Sequence, residues 1–237
     1  MLEEMLLEIV VSFLYNSLNY MFKIQKLDFL IAFYVTCVMI SELMGAKTFS
    51  IATLGSFPLH ATVVIFILPF IYAANDTIVE VFGKERAQSV VRSSLFMIFF
   101  LLLFSVLATS LPPSERFVQT NAAYNTIFGI SIRFSAASLV AFAVSEFMDV
   151  YIFAKMRQKL GKKNLWLRTN ISNFVSEFFD TALFMTLAFY ATNLPLMANI
   201  SFIASLAIPY WLLRCFMSII ETPLVYIGVK WLGKQSK

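Results

Sequence analysis

Two apolar segments carry the side chains with chemistry in them. SEFMDVYIF (Ser145 to Phe153) and SEFFDTALF (Ser176 to Phe184) each hold a Glu and an Asp three residues apart, Glu146 with Asp149 and Glu177 with Asp180. A third acidic pair, Asp76 and Glu80, closes another apolar run. Residues three or four apart share one helical face, so each pair presents its carboxylates together. Facing lipid they would lose hydration without a partner, so all three faces are expected to turn toward a bundle interior. Arg214, near the middle of a later apolar run, is the evident counter-charge, and it cannot neutralise them all.

Ionised carboxylates are pure acceptors and bind N–H edges through strong paired hydrogen bonds, which points to an organic solute with several N–H donors. Asp76, Glu80, Glu146, Asp149, Glu177, Asp180 and Arg214 are the substrate-binding candidates, with Trp211 as the favoured stacking ring because it precedes Arg214 by three residues. Phe147, Phe178, Phe179, Phe184, Tyr151 and Tyr72 could also face a planar solute, although Phe is the common apolar filler of this chain. A surface reading stands beside this one: Asp76, Glu80 and Asp149 lie close enough to an interface to pair with Lys84, Arg86 or Arg157. Glu42 and Arg133 fall toward the opposite half of the membrane, where pairing across helices would be structural or gating. Glu221 adjoins Pro223, which opens a backbone carbonyl, and could pack or wall a site.

Rival chemistries find less support. A carboxylate dimetal site favours Glu-x-x-His, and the single histidine, His60, falls at the other membrane face. Ion transport by oxygen ligands is a lesser alternative. Neither an HExxH motif nor a nucleophile with its base is visible, so no catalytic residue, metal or cofactor is expected and the chain reads as a non-enzyme.

The elements that must position these acids are membrane helices. The chain has 237 residues, 59% of them hydrophobic and 14% charged, with a mean hydropathy of +0.79. Soluble domains carry about 25% charged residues, so the fold class is an all-α polytopic membrane protein. Spans are expected over about Leu27–Ala46, His60–Val81, Val91–Leu111, Phe128–Phe153, Arg168–Thr192 and Asn199–Tyr226, each near or above the roughly 20 residues that cross the hydrocarbon. KTFSIATLGSFPLH, after the first span, suggests a small hairpin or re-entrant turn. KERAQ marks a short linker between spans two and three, and Pro112 with Pro113 ends span three. The expected domains are an N-terminal amphipathic extension (1–26), one six-helix transport domain (27–229) and a basic tail (230–237). Residues 1–22 read as an interfacial or short packing helix, with length also for a further span. The acidic start MLEEMLLEIV does not suit a cleavable signal peptide. Cys37 and Cys215 both fall in apolar runs and read as buried thiols.

Charge sets the expected orientation. Lys84, Arg86, Lys155, Arg157, Lys162 and Lys163 fall in linkers on one side with the C-terminal lysines, against Lys47 and Arg116 on the other. By the positive-inside rule the C-terminus is cytoplasmic. The net charge of +4 is thus spent on topology, with no basic stripe for nucleic acid. Spans four and five run in opposite directions, so their similar motifs form an inverted pair, with the acids about 6 to 18 Å inside the inner half of the bilayer.

ANDTIVEVFG (Ala74 to Gly83), SEFMDVYIFAKMR (Ser145 to Arg157) and NLWLRTNISNFVSEFFDTALF (Asn164 to Phe184) together resemble the YhhQ-like queuosine precursor transporter family, the putative vitamin uptake transporters. The likeness runs from about Leu27 to the C-terminus. It implies import of a 7-deazaguanine (preQ0, preQ1 or queuine) across a bacterial inner membrane for tRNA modification. The positions it matches are Asn75, Asp76 and Glu80, then Asp149 and Arg157, then Trp166, Arg168, Asn170, Ser176 and Asp180. The family often has Gln or another polar residue at the places of Glu146 and Glu177. The two additional acids suggest preference for an amine-bearing precursor. Arg157, Arg168, Asn170 and Asn75 are carried as structural or gating residues.

Without a Walker A motif, transport is either facilitated diffusion or secondary transport with proton coupling. The partners expected are the small-molecule substrate and the lipid bilayer, with a homodimer open and no nucleic acid. The alternatives are a substrate-binding membrane subunit of an ATP-driven vitamin transporter, or a membrane scaffold protein.

Overall fold

The computed structural model describes residues 25–160 and 165–233. The N-terminal extension therefore lies outside the described residues except for its last two positions. Six α-helices and one hairpin make up the described chain: α1 (Lys26–Met44), β1 (Thr48–Leu54), β2 (Phe57–Thr62), a 3-10 turn (Val63–Phe66), α2 (Leu68–Phe82), α3 (Lys84–Ser110), α4 (Val118–Leu160), α5 (Leu165–Phe189) and α6 (Leu196–Leu232). By length and composition four of these, over Lys26–Met44, Glu85–Ser110, Val118–Ser145 and Leu196–Arg214, can cross a membrane. The protein is a multi-pass membrane protein.

The hairpin forms where alternation and turn residues predict it. β1 and β2 pair antiparallel from Thr48↔Thr62 to Leu54↔Phe57, with a register irregularity between Ser50 and Ala52. This corrects the second span. The chain from His60 to Phe66 is strand and 3-10 turn, so α2 begins at Leu68, with Pro69 in its first turn where a missing N–H costs nothing. At 15 residues, α2 is roughly 22 Å long, short of the approximately 30 Å hydrocarbon.

KERAQ is not a linker. Lys, Glu, Arg, Ala and Gln are all good helix formers, and α3 begins at Lys84, with one residue between it and the end of α2 at Phe82. The whole reversal is made at Gly83, whose φ of 87° is open to glycine and unfavourable to side chains with a Cβ. α3 then ends before Pro112, as predicted. α4 is also longer than expected: its 43 residues span roughly 65 Å and absorb both the preceding loop and the start of the basic linker. Phe96, Phe100 and Phe104 on α3 are all more than half exposed, as suits a lipid-facing surface.

Packing places the helices around one interior. α4 and α5 make the most extensive helix pair, followed by α2 with α6 and α3 with α4. Buried Leu30, Tyr34, Ala74, Ile78, Ala87, Val90 and Leu232 join α1, α2, α3 and the end of α6. α2 and α6 approach closely at Gly228, where a Cβ would lie 2.6 Å from Thr77 Oγ1. Lys26 Nζ donates to the Trp231 carbonyl at 2.6 Å, so the start of α1 and the end of α6 lie together. Lys230 belongs to the last turn of α6.

Candidate functional site

A cavity of about 230 Å³ lies among the helices, and each of the described helices contributes to its wall. Its polar wall is built on helical spacing. On α5, Glu177, Asp180, Thr181 and Phe184 follow the i, i+3, i+4, i+7 pattern of one face. On α6, Tyr210 and Arg214 are four residues apart, and on α2 Leu68 and Tyr72 are likewise spaced. All of these except Glu177 line the cavity.

Arg214 ties the faces together. Its Nη1 donates to Asp180 Oδ2 at 2.5 Å and to Thr181 Oγ1 at 3.3 Å, and its Nε donates to the Tyr72 hydroxyl at 2.7 Å. Glu177 Oε2 adds an ion pair to Nε, without the alignment of a hydrogen bond. The cation is only 16% exposed, so both acids hold it where water screens weakly. The Tyr210 ring lies beneath the guanidinium, 6.0 Å from its carbon.

The two similar acidic motifs meet at their first residues: Ser145 Oγ donates to the Ser176 carbonyl at 3.3 Å. The side chains of Glu146, Asp149, Arg157, Trp166, Arg168 and Asn170 lie outside the described residues.

The remaining candidates sit elsewhere. Glu80 is exposed, and neither it nor Asn75 lines the cavity. Asp76, one turn beyond Tyr72 on α2, lies against the carboxyl of Glu221 on α6. Trp211 is turned away from the cavity: its ring packs edge-on to Phe174 and Phe178 at 4.6 and 5.6 Å, and its Nε1 donates to the Phe174 carbonyl at 3.4 Å. The rings at the cavity are Tyr72, Phe134, Phe142, Phe184 and Tyr210.

Glu42 and Arg133 do not pair. Arg133 donates from Nε to the Leu187 carbonyl at 2.7 Å and from Nη2 to the Tyr190 carbonyl at 2.6 Å. It thus satisfies carbonyls that the end of α5 leaves free. Buried Asn199 closes the following turn by accepting from the Ala191 amide and donating to the Ala191 carbonyl, both at 2.8 Å. Glu42, by contrast, lines the cavity from α1. The sequence reading also passed over Tyr210, Thr181 and Ser138; Tyr210 was legible as the residue four before Arg214.

The arrangement offers acceptors and donors around a small space with aromatic walls, which suits a planar polar solute. Its volume lies just below the roughly 300–1,000 Å³ of pockets for drug-sized ligands.

Residues 62–228 match the family model described as "Putative vitamin uptake transporter". The chain is 31% identical over 187 residues to the "Probable queuosine precursor transporter" of Bacillus subtilis (strain 168), covering 76% of each protein. It is 28% identical over 174 residues to the protein of that name in Haemophilus influenzae (strain ATCC 51907 / DSM 11121 / KW20 / Rd), covering 73% of this chain and 70% of the relative. The "Queuosine precursor transporter" of Escherichia coli (strain K12) is 25% identical over 143 residues, which is 59% of this chain and 60% of that protein. No solved structure matches.

Proposed function

We propose, from the premise that this chain belongs to the putative vitamin uptake transporter family, that it imports a queuosine precursor across the bacterial inner membrane for tRNA modification. The solute is a 7-deazaguanine such as preQ1, preQ0 or queuine. It binds in the cavity between the helices, with the C-terminus on the cytoplasmic side, together with Lys84, Arg86, Lys155 and Arg157. The observation that carries this reading is the placement of Arg214 and Asp180 in the cavity wall. Charged side chains inside a membrane bundle are costly and are kept for a purpose.

A 7-deazaguanine fits the chemistry. Its ring N–H and exocyclic amine need a carboxylate acceptor, and its flat bicycle can lie between Phe134, Phe142 and Phe184. Glu42, Glu177 and Asp180 outnumber the cation Arg214 around this space, which favours an aminomethyl cation such as that of preQ1 over the neutral nitrile of preQ0. Helices rocking about the cavity would expose it to each side in turn. Transport is coupled to protons carried by buried carboxyls that Arg214 does not hold.

The test is uptake of radiolabelled preQ1 by the purified full-length chain in liposomes without ATP. Saturable uptake above that of protein-free vesicles, competed by unlabelled precursor and raised by an imposed proton gradient, is expected. Uptake that requires an added ATPase, or none at all, overturns the reading.

A further inference from the structure

Of the six acids that sequence spacing nominates for the solute, Glu177 and Asp180 stand at Arg214, and both already have a partner. Asp180 is bonded to Arg214 Nη1 at 2.5 Å, and Glu177 is ion-paired to the same guanidinium. A carboxylate held this way has its charge already balanced and offers a solute only the acceptor sites that Arg214 leaves, and releasing the cation outright is strongly unfavourable. The acid in the cavity wall free of that commitment is Glu42.

Several observations converge on Glu42. It is 8% exposed and it lines the cavity. Its Oε2 is buried with no hydrogen-bond partner. Among the described residues the ion pairs of Arg214 go to Glu177 and Asp180, and none joins Glu42 to a Lys or Arg. The hydroxyls of Ser135 and Ser138 on α4 interact with its carboxylate, which they can orient but cannot neutralise. Ser41, its neighbour on α1, already donates to the Cys37 carbonyl at 2.9 Å. A buried acceptor without a partner, beside a cavity, is a vacancy for a donor.

Accepting the transport reading above, we infer that Glu42 is the specificity-determining residue of the site, the carboxylate that receives the paired N–H donors of the solute. Arg214 with its two acids then forms the opposite, pre-assembled wall. Tyr210 lies within electrostatic reach of both Glu42 and that ion-pair cluster, so the two polar groups share one cavity. The ligand class is a flat heterocycle with two adjacent N–H donors, such as a 2-amino-4-oxopyrimidine edge. A heterocycle lacking the exocyclic amine leaves one oxygen of Glu42 buried and unpaired, and sites of this kind reject such analogues strongly.

The experiment measures equilibrium binding to the full-length chain in lipid nanodiscs, using preQ1 and its analogue with hydrogen in place of the 2-amino group. The native protein is expected to prefer preQ1 by tenfold or more, about the value of one charge-assisted hydrogen bond. Glu42→Gln should weaken preQ1 about tenfold to a hundredfold and leave the analogue nearly unchanged, which collapses the preference. A Glu42→Gln protein that binds preQ1 with the native preference overturns the assignment while leaving the transport reading intact. A native protein that binds neither compound overturns both. A second measurement needs no variant: preQ1, and not the analogue, should protect Glu42 from an apolar carbodiimide, read by mass spectrometry. Equal labelling with and without bound preQ1 also overturns the assignment.

Discussion

Arg214→Gln is the most informative single substitution. The guanidinium is held by Asp180, Glu177, Tyr72 and Thr181, so its removal orphans two acids at once. Removing one partner of a buried ion pair costs about 3–5 kcal/mol. The Asp180 and Glu177 side chains are 20% and 32% exposed, which places the expected loss at the lower end, about 3 kcal/mol. For a chain of this length each kcal/mol moves the melting temperature by about 2–4 °C, so the variant should melt about 6–12 °C lower in mild detergent. The cause can be separated from lost packing. In the triple variant Arg214→Gln, Glu177→Gln, Asp180→Asn no orphaned charge is left, so most of the melting temperature should return while uptake of preQ1 stays abolished. If Arg214→Gln melts like the native protein, the pair is solvated and the reasoning fails. If the triple variant melts no higher than the single one, the loss is one of packing and not of charge.

Other expectations follow from the same geometry. Gly228→Ala places a methyl 2.6 Å from Thr77 Oγ1 and should cost about 1–3 kcal/mol, with Thr77→Ala in the same chain returning part of it in a thermal melt. Arg133→Ala removes two donors from the Leu187 and Tyr190 carbonyls at the end of α5. It should lower stability by about 1.5–3 kcal/mol, with transport per folded molecule retained in liposomes. Trp211→Phe, lying outside the cavity lining, should keep preQ1 affinity within about threefold, under 1 kcal/mol; a tenfold loss would return Trp211 to the site.

The parts of this molecule that a linear pattern can reveal are those decided within one element. The hairpin was legible because alternation and turn residues act locally, and the end of α3 because Pro112 has no amide to continue the ladder. The face bearing Glu177 and Asp180 was legible for the same reason, and Arg214 because few cations enter an apolar run. Boundaries were misjudged where hydrophobicity stood in for helicity. KERAQ is polar yet helix-forming, and the polar start of α4, Val118 to Asn125, continues unbroken into its apolar core. What the sequence withheld was partner choice across helices. Tyr210 and Trp211 are neighbours in sequence, and the packing of α6 against α5 turns one to Arg214 and the other to Phe174. Glu42 and Arg133 were plausible partners by depth, but the carbonyls at the end of α5 take the arginine first.

One asymmetry in the charges bears on coupling. Arg214 keeps its proton under all working conditions, so the wall it forms with Asp180 and Glu177 does not change charge readily. The acids outside that pairing, Glu42 and the Asp76–Glu221 contact, have no described cation. Among the described residues Glu42 has the Ser135 and Ser138 hydroxyls beside it, and its charge is balanced by a proton or by a donor brought by the solute. At Glu42 these two occupants exclude each other, because a protonated carboxyl cannot accept both donors of an N–H edge. Linkage then makes the effect reciprocal: protonation must weaken solute binding by the factor by which bound solute weakens protonation. Binding of preQ1 to the native chain should therefore weaken as pH is lowered through the range where Glu42 gains its proton, and Glu42→Gln should flatten that part of the profile. A fall of the same size in both proteins would place the linked proton at a group other than Glu42, and binding independent of pH in the native chain would remove proton linkage from the binding step altogether.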